Sequence, residues 1–297
     1  MLRRDRNASL DPRTDFEQIY RNVAYLDFPW DFNQSLSFAL FRTYAVPSIG
    51  RLLSATRGFD DTQKRYDDTA LLLEKPLLDG FSDPDSRIAI RRINQMHHAY
   101  DISNDDMRYV LATFVVVPKR WIDDYGWRRL TDKEVTASVA YYRELARHMN
   151  IKDVPDTYEG FAALMDSYEA EHFPDRAGFD QECRRVADLT LDLLTTFYPR
   201  PARPAVRLFS RALMDPPLLA AFGYDDPPAI VRRLSVAAMR ARAAFVRLLP
   251  PRRRPTTFEG SRRMKTYRPG AIAVDCVGTF PKPGVNGCPV RHLESAS

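Results

Sequence analysis

One spacing constrains this chain more than any other feature. After Thr131-Asp132-Lys133-Glu134, the residues Val135, Val139, Tyr142, Leu145 and Met149 recur at steps of four, three, three and four. Positions three and four apart share one face of an α-helix, so the pattern specifies a helix with a buried stripe. Thr131 and Glu134 stand at the offsets of a capping box, in which each side chain satisfies the other's backbone N–H. Ser103-Asn104-Asp105-Asp106 repeats that spacing and opens a predicted helix over 107–117, which Pro118 is expected to end or bend. Further helices are predicted over 14–24, 32–43, 62–78, 85–98, 179–197 and 230–249. Strand-like alternation occurs only over 271–277, and no internal repeat is present. The fold class read from this pattern is all-α.

At 297 residues, with 44% apolar and 28% charged residues and only 12 glycines, the chain has enough apolar material for one large core. The expected division is an N-terminal extension over 1–30, a helical domain over 31–250, and a basic, proline-rich tail over 251–297. No Gly-rich phosphate loop, Gly-x-Ser-x-Gly elbow or Cys-x-x-Cys pair occurs, which leaves nucleotide binding and triad hydrolysis without their machinery. Cys183, Cys276 and Cys288 lack metal-ligand spacing. The longest apolar run, 111–118, falls far short of the roughly 20 residues of a membrane span. A cytoplasmic protein is expected.

Charge is unevenly spread. Between Arg232 and Arg268 stand twelve Arg or Lys residues and a single acid, Glu259. Arg233, Arg240 and Arg247 form a stripe on the predicted helix 230–249, beside Ile230, Leu234, Ala241, Phe245 and Leu248. The first expectation for such a helix is an apolar face packed on the domain with the arginines in water. Peripheral contact with anionic lipid comes second, and nucleic acid is not expected because no recognisable binding module accompanies the charge.

The stretch richest in chemistry is Arg91-Arg92-Ile93-Asn94-Gln95-Met96-His97-His98-Ala99-Tyr100. Ile88, Ile90 and Ile93 share a helical face with His97, so His97 points inward and His98 does not. An imidazole aimed into an apolar interior is either a hydrogen-bonded core residue or a metal ligand. One helix earlier, in Lys64-Arg65-Tyr66-Asp67-Asp68-Thr69, Arg65 and Thr69 share a face with Leu72 and Leu73. The single Glu169-x-x-His172 lacks the second copy that a di-iron bundle requires.

Those two segments, followed by Ile102-Ser103-Asn104-Asp105-Asp106, Leu111-Ala112-Thr113-Phe114-Val115-Val116 and Tyr125-Gly126-Trp127-Arg128, resemble the haem oxygenase family of MpaB and the rubber oxygenases. The resemblance runs from about residue 47 to about residue 269. It implies a single all-α domain enclosing a b-type haem, with His97 as axial ligand to the iron and Arg65 and Thr69 at the haem pocket as catalytic residues. Dioxygen and a hydrophobic small molecule are the implied substrates, with oxidative C=C cleavage as the reaction class. Arg91 or Arg92 would meet the haem propionates. Met96, Met107, Leu111 and Phe114 would supply an apolar wall. Asp68 replaces the Lys of the rubber-cleaving branch, which argues against rubber as substrate. Leu111 stands where many relatives carry a second histidine. A haem-free binding or membrane-associated protein of the same fold is the alternative reading.

Overall fold

Two long helices, α2 (Pro29–Ala45) and α6 (Asn104–Tyr125), pack along each other and form the spine. The structure, a computed structural model, describes residues 6–268 and 273–278. Among these are twelve α-helices and no strand. α1 (Phe16–Asn22) leads through a π-helical turn, Val23–Asp27, into α2. α7 (Asp132–His148) lies between α6 and α1, and α8 (Tyr158–His172) covers α6. α3 (Pro47–Ala55) packs on α9 (Gln181–Thr195), where a Cβ at Gly50 would overlap the thiol of Cys183. α4 (Thr62–Asp79) and α5 (Pro84–His97) run side by side. α10 (Arg203–Ala212), α11 (Pro216–Ala221) and α12 (Ala229–Leu248) close the remaining flank.

The buried stripe expected after Thr131 is present. Val139, Tyr142 and Leu145 enter the largest core, with Tyr109, Val116, Phe161 and Met165. Tyr20 of α1 donates to the Tyr142 hydroxyl at 3.2 Å, which satisfies two phenols inside that core. Thr131 and Glu134 form the complete capping box. The Ser103 box is only half made. Ser103 accepts from the Asp106 N–H at 3.0 Å, but the Asp106 carboxylate takes hydroxyl donors, from Ser103 at 2.9 Å, Ser48 at 2.8 Å and Tyr168 at 2.9 Å, and not the Ser103 N–H.

Of the two outcomes expected of Pro118, the stop is excluded: α6 runs through it to Tyr125. Burial of Trp121 and Ile122 against Val23, Phe28 and Met239 outweighs one lost helical hydrogen bond. The strand-like segment is no strand where it is described. Val274–Cys276 is a single 3-10 turn, and its apolar residues Val274 and Val277 insert beside Leu72, Ala89 and Ile93 on α4 and α5. Residues 271 and 272 lie outside the described residues.

Candidate functional site between α4 and α5

α5 starts where Asp83 accepts the Ser86 N–H at 3.0 Å and Pro84 sets the first turn. Ala89, Ile90 and Ile93 are its buried face, and His97 continues that face one turn later. His98 is exposed. Nδ1 of His97 is enclosed with no hydrogen-bond partner among the described residues, an uncommon state for a buried polar atom. Burial, then the charge of Arg65 and then His98 hold the His97 pKa down at about 4. The helix C-terminus favours the imidazolium, yet burial wins, and His97 is neutral at physiological pH.

Arg65 lies one turn into α4, after Asp61 has capped the helix by accepting from the Lys64 N–H at 2.9 Å. Its guanidinium sits over the Phe59 ring, 5.0 Å from the centroid. Its side chain has no ion pair or hydrogen bond among the described residues. Burial lowers its pKa against the opposing pull of Tyr44, Tyr100 and Asp68. A half-buried guanidinium without an acceptor among the described residues is free to meet something anionic or polar. Thr69, one turn further, also makes no side-chain hydrogen bond among these residues. The structure therefore brings Arg65 and His97 into electrostatic range and leaves the Thr69 hydroxyl unengaged on the same helix as Arg65.

The neighbouring acids are all committed. Asp68 pairs with Lys64 and accepts from the Tyr267 hydroxyl. Asp67 accepts the N–H groups of Lys265 at 3.1 Å and Thr266 at 2.8 Å, and Glu74 those of Phe258 and Glu259. These three carboxylates fasten the segment after α12 across α4. Sequence reasoning missed that role. The available signal was a run of acids on a helix that also carries Leu71-Leu72-Leu73.

Arg92 is buried on α5, donating to the Val277 carbonyl at 3.2 Å and to Gln95 at 2.7 Å, whereas Arg91 is exposed. Glu169 of the Glu-x-x-His segment is spent on Arg42 and on the Tyr109 hydroxyl at 3.0 Å. No three of His, Cys, Asp and Glu gather as a metal site among the described residues. A haem asks the protein for as little as one axial ligand. A neutral imidazole and a nearby arginine, both without a hydrogen-bond partner for those nitrogens among the described residues, fit such a group.

A cavity of about 300 Å³ lies against α4. Ala70, Leu73, Leu77, Phe114, Tyr141 and Tyr142 form an apolar wall, and Arg252 and Arg263 lie at its rim. Of the wall expected from sequence, Phe114 lines this cavity. Leu111 and Met107 belong to the main core, and Met96 packs with the α4–α5 cluster. His97, Arg65 and Thr69 do not line it.

Residues 32–248 match the family model described as "ER-bound oxygenase mpaB/B'/Rubber oxygenase, catalytic domain". The ER-bound oxygenase mpaB' of Penicillium brevicompactum is 29% identical over 266 residues, covering 82% of this chain and 62% of that protein. The mpaB of the same organism is 34% identical over 164 residues, covering 52% and 42%. The mpaB of Penicillium roqueforti is 30% identical over 235 residues, covering 73% and 79%. The chain thus spans less than two thirds of the length of the first two relatives. Among solved structures, latex clearing protein in its closed state superposes with a TM-score of 0.56 at 17% identity, covering 83% of this chain and 69% of that one. That likeness concerns the fold, and it agrees with the helical architecture. By the span of the family match and the ordered motifs on α4, α5 and α6, this chain belongs to the MpaB/rubber oxygenase family.

Proposed function

We propose that this protein is a haem b-dependent oxygenase that uses dioxygen on a hydrophobic substrate, with oxidative cleavage of a C=C bond as its reaction class. The observation that carries the reading is the pair formed across α4 and α5: a neutral His97 with an enclosed, unpartnered nitrogen, and an Arg65 with no acceptor among the described residues. His97 would hold the iron, and Arg65 would give its charge and donors to a propionate or to developing negative charge. Arg91, exposed on α5, and Arg92 are the further propionate partners. Thr69 would offer a hydroxyl one turn from Arg65. When bound, haem supplies the redox chemistry of dioxygen activation. The apolar cavity against α4 would take a lipophilic chain and keep water from it. The proposed location is the cytoplasm with peripheral attachment to membrane, in line with relatives whose names carry the words "ER-bound".

Absorption and metal analysis of the purified full chain test this reading. A Soret band with stoichiometric iron is expected, from expression with a haem supply or after reconstitution with hemin. Colourless, iron-free protein after reconstitution would sink it in favour of a haem-free binding protein of the same fold. One observation favours that second reading: the cavity is not lined by His97, Arg65 or Thr69.

A further inference from the structure

The expectation for α12 is reversed in the structure: its apolar strip faces outward. Ile230, Leu234, Phe245 and Leu248 are 61%, 62%, 62% and 84% exposed, with exposed alanines between them. Their spacing places all four on one side of the helix, since 3.6 residues make a turn. Arg233, Arg240 and Arg247 are exposed along one edge of that strip. The inward face is held by Ser235, Met239 and Val246, and by Arg242. Arg242 lies over the Trp30 ring, 3.7 Å from its centroid, and pairs with buried Asp31 at 2.8 Å. α12 is therefore anchored by one side and exposed along the other. Leu208 of α10, which packs against α12, is also exposed. A continuous exposed apolar strip of this kind marks an interaction surface.

We propose that the outer face of α12 is a monotopic docking surface for an anionic phospholipid bilayer. Charge complementarity selects that occupant. α12 carries five arginines and no acid. A second copy of the chain would meet like charge with like, whereas a bilayer interface accepts the apolar strip at the acyl boundary and the arginines at the phosphates. No helix among the described residues is long and apolar enough to cross a membrane, so the contact is lateral. The anchored side of α12 connects this surface to the cavity, because Trp30 and Arg252 both line it.

Co-sedimentation of the full chain with vesicles tests the surface independently of any haem. Phosphatidylcholine vesicles containing phosphatidylglycerol should bind the protein at low salt and release it as salt rises, since exposed charges are screened beyond about 8 Å at physiological ionic strength. A surface arginine near anionic lipid strengthens binding roughly fivefold, so Arg233→Gln, Arg240→Gln and Arg247→Gln together should weaken it on the order of a hundredfold. The double variant Leu234→Glu, Phe245→Glu should abolish binding while its helical circular dichroism and melting curve stay those of the wild type. Absence of wild-type binding at low salt, or unaltered binding by the Glu variant, overturns the proposal. A wild-type dimer in light scattering that the Glu variant dissolves overturns it too, and assigns the strip to a second copy.

Discussion

Tyr267 donates its hydroxyl to Asp68 across a separation of 199 residues. The contact falls on α4 between Arg65 and Thr69, so the segment following α12 helps fix the helix on which the candidate catalytic residues stand. Burial and the nearby carboxylate push the Tyr267 phenol far up, which keeps it a donor. Tyr267→Phe removes a hydrogen bond to a charged acceptor and should cost about 2 kcal/mol in urea unfolding. An unchanged unfolding midpoint would show that this segment does not stabilise α4.

His97 and His98 should separate cleanly. Neighbouring helical residues point about 100° apart, so only one can face a given iron. His97→Ala should give folded helical protein with little or no haem, and His98→Ala should retain it. Full haem in both variants, or loss only in His98→Ala, would contradict the assignment of His97.

Thr69→Val preserves shape and removes a hydroxyl that makes no hydrogen bond among the described residues. Stability should hardly move. Turnover, read as oxygen uptake with an active lipophilic substrate, should fall roughly tenfold if the hydroxyl donates one hydrogen bond at the site. Unaltered uptake would remove Thr69 from the list of catalytic residues.

Stability of the haem-free protein should depend on pH through His97. Its folded pKa lies near 4, below the ordinary 6.5, so the unfolded chain binds the proton more readily. Stability is then fully present above about pH 6.5 and is lost as pH falls towards 4. Thermal melts across that window should slope less in His97→Gln, which cannot take up the proton. Parallel slopes in the two proteins would show that His97 is not held neutral.

Much of this was legible because helices write themselves locally. The stripe after Thr131, the caps at Ser103 and Thr131, and the inward turn of His97 all follow from spacing over a few residues. What escaped the sequence depended on distant partners. The acceptors of the Lys265 and Thr266 amides lie on α4, some two hundred residues earlier, and nothing near Asp67 names them. Pro118 signals a stop by its own chemistry, and only the burial of Trp121 and Ile122 overrules it. For α12, periodicity gave the apolar strip but not its direction, because a helical wheel does not say which side faces the protein. The inward side was decided by Arg242, through Trp30 and Asp31 on α2.

The fastening of residues 258–267 onto Asp67, Asp68 and Glu74 also sets an order in time. α4 and α5 leave the ribosome long before their last neighbours do. Val277 is at once a carbonyl acceptor for Arg92 and a buried side chain beside Ile93. Until that stretch has been synthesised, Leu72, Ala89 and Ile93 lack its cover, which must wait for contacts of very large sequence separation that form slowly. The α4–α5 pair is therefore among the first parts of the chain to be made and among the last to be covered.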